Sequence, residues 1–307
     1  MSTAYITHRE CQRHDMGDHH PEAPLRLRAI DDALLAQQLY DFLRHFDAPL
    51  VTEEQLLRVH PKSYLDHLET LVPEEAQGIV SIDEDTIMNS HSLAAAKHAA
   101  GAGVLAVDKV MAGEVKNAFC AVRPPGHHAS YANSSGFCVF NNVAIGAKYA
   151  LEKLGLERVA IVDFDVHHGD GTQNIVENDE RIIFCSSFQH PFYPFSGDAP
   201  TRENILNVPI PASTSGAEYR KLVAHWFDAL DAFKPQLIFI SAGFDAHVED
   251  EMSYLRLVED DYAWLTQQIK MVADKHCQGH IVSVLEGGYS LSALGRSVVA
   301  HLKVLVT

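Results

Sequence analysis

The chain has 307 residues, of which 47% are hydrophobic and 21% charged, an ordinary composition for a globular protein. Its 24 basic and 41 acidic side chains give a net charge of −17, which disfavours binding to nucleic-acid phosphates. Because no apolar run could span a bilayer and the first ten residues do not resemble a signal peptide, we expect a cytoplasmic protein with no nucleic-acid or membrane partner.

Five short runs rich in Val, Ile, Leu and Phe predict β-strands that are buried on both faces of a sheet. They cover residues 118–122, 158–162, 181–185, 236–241 and 280–285. Apolar residues spaced three and four apart predict four helices. These stripes run from Leu93 to Met111, from Val143 to Leu154, from Tyr219 to Leu230 and from Tyr262 to Val272. Residues 70–85 and 190–204 are predicted to be long loops, which often frame a site.

Strands that alternate with helices are typical of βαβ units and of a parallel sheet with helices on both faces. Since no linker or repeat divides the chain, we predict a single α/β domain over residues 1–307. Polar motifs directly follow three predicted strands, at residues 163–167, 241–245 and 286–289. Ligands bind at the carboxyl ends of the strands in such sheets, so these motifs are expected to meet at one edge.

Two of these motifs contain side chains suited to a metal ion. Asp165 and His167 are two residues apart, so on an extended segment they point the same way. Asp245 would complete an Asp/His/Asp set, and three protein ligands leave a fourth position for water, as a catalytic zinc site requires. Such an ion lowers the pKa of water and polarises a carbonyl. The alternative for Asp245 is a helix N-cap after Gly243 and Phe244.

A pair of adjacent histidines, His127 and His128, follows the stiff stretch at residues 123–126. Metal-assisted amide hydrolysis needs a base for water and an acid for the leaving amine, and two imidazoles could divide these roles. Asp163 could orient one ring and Asp170 the other, in the manner of a catalytic triad. The alternative for Asp163 is a buried ion pair, and adjacent histidines are otherwise common in exposed loops.

Aromatic residues beside glycines supply the remaining candidates. Tyr289 follows Gly287 and Gly288, whose small size permits close approach, so its phenol could stabilise an oxyanion. Gly136 and Phe137 could line a channel for an acyl group. Core or turn packing is the alternative for both aromatic side chains. The motifs predict a hydrolytic site more strongly as a set than any of them does alone.

These motifs resemble those of the histone deacetylase family, including its bacterial acetoin-utilisation and acetylpolyamine-amidohydrolase relatives. The likeness covers nearly the whole chain: it begins at His20, Pro21, Glu22, Arg26 and Leu27 and continues through residues 123–128, 136–141, 163–171, 241–245 and 286–289. The resemblance implies the arginase/deacetylase-like fold. It also implies a deacylase that hydrolyses the amide of an acylated amine, either an acetyl-lysine peptide or an acetylpolyamine.

The resemblance further implies two kinds of bound cation. One Zn²⁺ per chain would be held by Asp165, His167 and Asp245, and Fe²⁺ or Co²⁺ could substitute for it. A structural K⁺ would lie near Asp163, Asp165, His167, Ser186 and Ser187.

The same resemblance assigns the proton-transfer residues. His127 would pair with Asp163 and His128 with Asp170. In the family the second histidine is generally favoured as the general base, while the first assists electrostatically. Tyr289 would polarise the substrate carbonyl.

The resemblance also bears on the substrate. Some polyamine-selective members carry a glutamate shortly after the third zinc ligand, and here Met252 takes that position, with Glu251 beside it. An apolar residue there favours an acyl-lysine rim. Met252 is expected to line the substrate channel with Gly136, Phe137 and Gly288.

Three other functions compete with a peptide deacylase. The first is an acetylpolyamine amidohydrolase or esterase on the same site. The second is a non-catalytic reader of acyl groups. Such a protein would bind its ligand without needing the full set of proton-transfer residues. The third is a two-manganese ureohydrolase, whose sites typically need an Asp-x-His-x-Asp motif. Here Asp165 and His167 take the first and third positions of that motif, but Gly169 takes the fifth.

Overall fold

The computed structural model describes residues 2–199 and 201–307, and over these the chain forms ten strands and ten α-helices. The strands are β1 (Thr3–Thr7), β2 (Arg44–Asp47), β3 (Ile79–Ser81), β4 (Ile87–Asn89), β5 (Asn117–Cys120), β6 (Val159–Asp163), β7 (Ile182–Gln189), β8 (Ile205–Ile210), β9 (Leu237–Ala242) and β10 (Ile281–Leu285). The helices are α1 (Leu25–Ala36), α2 (Glu53–Leu56), α3 (Lys62–Leu71), α4 (Ser92–Met111), α5 (Asn142–Glu152), α6 (Asp170–Val176), α7 (Gly216–Val223), α8 (His225–Phe233), α9 (Glu259–His276) and α10 (Leu291–Val306).

Eight of the strands form one parallel sheet in the order β2-β1-β5-β10-β9-β6-β7-β8, whereas β3 and β4 pair as a separate antiparallel hairpin. The C-terminal strand β10 lies at the centre between β5 and β9, so the sheet joins distant parts of the chain. The predicted parallel α/β architecture is confirmed. No helix of the described residues is both long enough and apolar enough to cross a bilayer.

Helices cover both faces of the sheet, which explains why its central strands are continuous apolar runs. Every residue of β6, β9 and β10 is buried. On one face α5 packs so closely that a Cβ at Gly146 would lie 2.7 Å from the Phe239 ring. On the other face His301 of α10 contacts Ser283 of β10, with 3.0 Å between Nε2 and Oγ. The core therefore extends on both sides of the central strands.

Three predicted elements differ from the structure. The helix predicted from Tyr219 to Leu230 is two helices, α7 and α8, which meet at Ala224. The Tyr219 hydroxyl contacts Ser187 of β7, whereas the Trp226 indole donates to the Leu206 carbonyl of β8. Leu154 was predicted in a buried stripe, but α5 ends at Glu152 and Leu154 is exposed. The predicted loop at residues 70–85 contains β3, which pairs with β4.

Three strands of the main sheet were not predicted from the periodicity of the sequence. They are the two edge strands, β2 and β8, and the strand β1. In β2 only Phe46 among the four residues is even partly buried, so its pattern is polar. In β8 Pro209 is exposed and lacks a backbone donor, as suits an edge strand.

A buried ion cluster attaches the N-terminal segment to the edge of the sheet that carries the motifs. Glu22 accepts hydrogen bonds from Arg26 of α1 and from Arg123, which follows β5, and all three side chains are fully buried. His14 Nε2 lies 3.3 Å from the same carboxylate. Burial alone would raise the pKa of Glu22, but Arg123, His14 and Arg26 hold it well below its usual range.

Replacing Glu22 by Gln should therefore lower the free energy of unfolding at pH 7 by about 3–5 kcal/mol, because two guanidinium groups lose their buried counter-charge. The depressed pKa makes this contribution largest above the ordinary glutamate pKa and progressively smaller as the pH falls towards the folded-state value. Denaturant unfolding of both proteins at a series of pH values from 7 down to about 2 measures the change. A difference that stays constant over this whole range would show that the charge of Glu22 is not the cause.

Candidate active site

Four neighbouring strands deliver the predicted motifs to one edge of the sheet. In the order β5, β10, β9 and β6, their carboxyl ends lead into residues 121–128, 286–289, 243–245 and 164–168. Parallel pairing keeps these ends level, with Asp163 beside Ser241 and Val284 beside Cys120. Motifs that are more than a hundred residues apart in sequence are therefore neighbours in space.

Asp165, His167 and Asp245 converge, with one ligating atom from each within 4.8 Å of the others. His167 Nδ1 lies 3.1 Å from Asp165 Oδ1 and 3.3 Å from Asp245 Oδ2. The other oxygen of each carboxylate is held by the main chain. Gly287 N donates to Asp165 Oδ2 at 2.8 Å, and Val166 N donates to Asp245 Oδ1 at 2.9 Å. Each carboxylate thus directs one oxygen towards the imidazole.

The chemistry of these three side chains fits a divalent cation. Asp245 Oδ2 is buried and has no hydrogen-bond partner among the residues that the structure describes. Burial and the charge of Asp165 raise the pKa of Asp245 to about 6. Burial opposes a charge on His167, yet the two carboxylates raise its pKa to about 9. A cation here would provide the missing partner for the buried oxygen and reduce the repulsion between the carboxylates.

Each histidine of the adjacent pair contacts its own carboxylate. His127 Nδ1 lies 3.0 Å from Asp163 Oδ2, and His128 Nδ1 lies 2.7 Å from Asp170 Oδ1. The two ring centroids are 4.0 Å apart, and the His128 ring meets the His167 ring edge to face at 5.9 Å. Because a carboxylate engages Nδ1 in both rings, Nε2 is the nitrogen left for proton transfer.

The environments of the two histidines shift their pKa values in opposite directions. Burial disfavours a charge on His127, but Asp165 and Asp163 raise its pKa well above the ordinary value. For His128, burial and the neighbouring charge of His127 lower the pKa to about 4. His128 is therefore neutral at neutral pH and has a lone pair that can accept a proton, whereas His127 keeps its positive charge.

A cavity of about 300 Å³ opens from this edge of the sheet to the surface, a volume that suits a small-molecule site. Its lining is made of Asp85, His128, Gly136, Phe137, His167, Phe192, Tyr193, Glu251, Met252 and Tyr289. One metal-ligand candidate, one of the two histidines and Tyr289 therefore share the same space. Three of the four residues predicted for the substrate channel, Gly136, Phe137 and Met252, are also in this lining.

Gly136 lies against the His128 ring and needs to be glycine for two reasons. Its φ is +54°, and a Cβ there would lie 2.2 Å from Cδ2 of His128. The following residue, Phe137, meets the Tyr289 ring edge to face with 6.1 Å between centroids. The loop therefore supplies both a close backing for the histidine and an aromatic wall.

Arg26 holds the turn that carries Tyr289. Its Nε donates to the Gly288 carbonyl at 2.7 Å, its Nη2 donates to the Glu286 carbonyl at 2.5 Å, and its guanidinium carbon lies 4.9 Å from the Tyr289 ring centroid. Burial raises the pKa of Tyr289, so the phenol keeps its proton and can donate it. Gly288, in contrast to the prediction, lies behind the cavity wall, where a Cβ would meet Leu294 at 2.9 Å.

The residues predicted for a monovalent cation separate into two groups. Ser186 of β7 is the sheet neighbour of Asp163, and its buried hydroxyl has no hydrogen-bond partner in the described part of the chain. The Ser187 hydroxyl instead contacts the Tyr219 phenol at 2.6 Å. The side chain of Ser187 is therefore already engaged, whereas that of Ser186 remains without a partner.

Sequence reasoning missed two cavity residues that are joined by a hydrogen bond. The Tyr193 hydroxyl donates to Asp85 Oδ2 at 2.8 Å, while Gly136 N donates to Asp85 Oδ1 at 2.8 Å. Tyr193 also meets the His128 ring edge to face at 5.3 Å. Both residues lie in the two segments that were predicted to be long loops framing a site, so loop length was the available signal.

A parallel sheet with an Asp/His/Asp set and two His–Asp pairs at its carboxyl edge defines the arginase/deacetylase fold class. The family model described as "Histone deacetylase domain" matches residues 20–305. The chain belongs to the histone deacetylase family, as its motifs predicted.

Individual relatives are similar over most of this chain. A "Probable deacetylase" of Archaeoglobus fulgidus is 38% identical over 95% of this chain and 82% of its own. The "Polyamine deacetylase HDAC10" of Homo sapiens is 36% identical over 93% of this chain and 44% of its own. The "Type-2 histone deacetylase 2" of Dictyostelium discoideum is 37% identical over the whole chain, which spans about a fifth of that relative's length.

A solved structure has the same fold. The crystal structure of the HDA15 HD domain superposes with a TM-score of 0.91 at 32% sequence identity. The match covers 100% of this chain and 89% of the other.

Proposed function

We propose that residues 1–307 form one catalytic domain, a zinc-dependent deacylase that hydrolyses the amide of an acylated amine. The observation that supports it best is the convergence of Asp165, His167 and Asp245 next to the two histidines, at one cavity. Membership of the histone deacetylase family and the names of its relatives agree with this reaction. Fe²⁺ or Co²⁺ would fit the same three ligands, since imidazole and carboxylate bind each of these ions.

A divalent cation on these ligands would lower the pKa of a water molecule and polarise the substrate carbonyl. His128, neutral at pH 7 and oriented by Asp170, accepts a proton from the attacking water. Tyr289 donates a hydrogen bond to the carbonyl oxygen as negative charge develops on it. A bond forms between the water oxygen and the carbonyl carbon, and the carbon–nitrogen bond then breaks. The amine nitrogen takes up the proton from the imidazolium, which leaves a free amine and a carboxylic acid that then releases its proton to solvent.

His127 has an electrostatic role in this scheme. Its ring is held by Asp163, and the buried carboxylates around it raise its pKa. A proton on His127 disfavours a second proton on the neighbouring His128, because two adjacent imidazolium groups would repel each other. The two histidines thus have different tasks although they are adjacent in sequence.

Phenylalanine in place of Tyr289 should reduce kcat by about 10²–10³-fold, the usual cost of removing one oxyanion donor, with little change in KM. The ring and its contact with Phe137 remain, so the fold should be unaffected. Tyr254→Phe is the matched control, because Tyr254 is exposed, packs on Phe192 and does not line the cavity. A Tyr289→Phe variant that is as active as the control would rule out the phenol as the donor.

We further propose that the acyl-amine substrate is an acetyl-lysine peptide, with an acetylpolyamine as the alternative. Met252 lines the cavity, and an apolar side chain there suits a lysine methylene chain. Glu251 lines the same cavity with an exposed carboxylate, which is the feature that would favour a cationic polyamine.

The experiment that tests the function is a kinetic panel on chelated enzyme with Zn²⁺ added back. Acetyl-lysine peptides, acetylputrescine, acetylspermidine and an ester substrate separate the candidate activities. We expect turnover only after metal addition, with the highest kcat/KM on the peptides. The absence of turnover on every substrate by the metal-loaded protein would contradict the proposal, and would favour a non-catalytic acyl-group reader.

We also propose a structural K⁺ beside Asp163 and Ser186, near the main chain of Asp165 and His167. The support is the buried Ser186 hydroxyl without a described partner, next to a carboxylate. A cation at this position would stabilise the strand ends that carry the zinc ligands.

A further inference from the structure

Glu286 is a buried carboxylate that does not line the described cavity but contacts the loop carrying both histidines. It directly follows β10 and is fully buried. Its Oε2 accepts hydrogen bonds from Gly126 N at 2.6 Å and from His127 N at 3.1 Å. Its Oε1 accepts a hydrogen bond from the Ser241 hydroxyl at 3.2 Å.

These contacts determine where the histidine loop begins. Two consecutive buried N–H groups donate to a single carboxyl oxygen, and both would lose their acceptor if this side chain were shortened. On the other side of the loop, the His127 carbonyl accepts a hydrogen bond from Thr172 N of α6 at 3.0 Å. The main chain at the first histidine is therefore held from two sides, while Asp163 and Asp170 orient the two rings.

The main chain of Glu286 belongs to the turn that carries Tyr289. Arg26 donates to the Glu286 carbonyl and to the Gly288 carbonyl, so the turn is held from outside. The next residue, Gly287, donates its N–H to Asp165 Oδ2. Glu286 thus connects the histidine loop, through its side chain, with the tyrosine turn and the metal ligands, through its main chain.

We propose that Glu286 is a positioning residue, whose carboxylate sets the distance between the histidine pair and Tyr289 so that both face the same substrate carbonyl. This inference rests on the function proposed above. Its physical basis is that a displacement of about 1 Å in a catalytic group can reduce turnover about 10²-fold even when the group itself is intact.

Three substitutions separate the effect of the length of this side chain from the effect of its carboxyl group. Glu286→Ala removes the acceptor, and we expect kcat to fall about 100-fold while KM stays within about twofold. Glu286→Gln keeps a carbonyl oxygen for Gly126 N and His127 N, and its amide can donate to the Ser241 hydroxyl, so we expect kcat within about tenfold of wild type. Glu286→Asp keeps the carboxyl group but withdraws it by about 1.5 Å, so kcat should fall below that of the Gln variant.

The matched control is Asp261→Asn, because Asp261 is also buried and also accepts from a main-chain N–H, that of Val258. It lies at the start of α9, outside the site, so we expect lower stability with unchanged kcat. Metal content measured on every variant should stay equal to wild type. An Ala variant with wild-type kcat would overturn the proposal, and so would a Gln variant less active than the Asp variant. The comparison of the Gln and Asp variants tests the positioning role of Glu286 even if the Ala variant does not fold.

Failure of this inference is distinct from failure of the proposed function. If wild-type enzyme shows no turnover on the substrate panel, the function is wrong. The position of the His127 and His128 ring signals in nitrogen-edited NMR spectra then tests the positioning role without turnover. Ring signals shifted in the Asp variant and retained in the Gln variant would support the role, and signals unchanged in both would overturn it.

Discussion

Asp245→Asn should abolish stoichiometric metal binding and reduce turnover by more than about 100-fold, beyond the usual cost of changing a group outside the ligand set. The amide keeps the size of the side chain and can still accept from Val166 N. It removes the negative charge that directs Oδ2 towards His167. Metal content of the purified and reloaded variant, together with kcat/KM on the best substrate, measures both effects.

Although it removes metal binding, the same substitution should not lower the stability of the metal-free protein. Burial and Asp165 raise the pKa of Asp245 to about 6, so at pH 7 the ionised carboxylate is unfavourable in the folded chain. We therefore expect chelated Asp245→Asn to have a Tm at least as high as chelated wild type. Added Zn²⁺ should raise the Tm of wild type only, since ligands stabilise the state that binds them. Equal metal binding and activity in both proteins would contradict this assignment.

His128→Ala should lower kcat by about 10²–10⁴-fold, the range over which general acid–base catalysis contributes. Its ring is the neutral member of the pair and is oriented by Asp170 at 2.7 Å. It also lines the cavity, so the substitution removes the proposed proton acceptor from the cavity wall. Metal binding should persist because Asp165, His167 and Asp245 are unchanged.

The control for this variant is His276→Ala. His276 and Asp231 form another His–Asp pair, with 2.8 Å between Nε2 and Oδ1, at the end of α9 and outside the site. We expect this control to keep wild-type kcat. A His128→Ala protein with the kcat of the control and full metal content would exclude His128 as the base, and would make His127 the residue to test next.

The sequence was most informative where short-range rules determine the structure. Asp165, His167 and Asp245 follow strands that are continuous apolar runs, and parallel strands bring their carboxyl ends to one edge. Two-residue spacing and a position directly after a predicted strand were therefore enough to predict that these three side chains lie near one another. The same reasoning predicted the position of the histidine pair, because it follows the predicted strand at residues 118–122; the structure adds that this strand, β5, is the neighbour of β10.

Features that depend on long-range packing could not be predicted. The Glu22 cluster joins residues about a hundred positions apart, and nothing in local spacing indicates that Arg26 and Arg123 share its carboxylate. The bond between Tyr193 and Asp85 likewise joins two loops that have no regular pattern. Gly288 was predicted to line the channel, but it is not part of the cavity lining, and its carbonyl accepts a hydrogen bond from the distant Arg26.

The competing ureohydrolase function needs two metal ions. In the described residues, one group of three side chains is suitably placed for a metal, and Gly169 supplies no further carboxylate. The proposed deacylase needs one divalent ion, and this number distinguishes it from the two-metal ureohydrolase on a related fold.

The most direct test of the account is a titration of chelated protein with Zn²⁺, in which bound metal and deacylation rate are measured on the same samples. Asp165, His167 and Asp245 predict that the rate rises in proportion to bound metal and stops rising at one ion per chain. Full turnover by protein that holds no metal, or a rate that saturates only at two ions per chain, would contradict the proposal that these three residues hold a single catalytic ion.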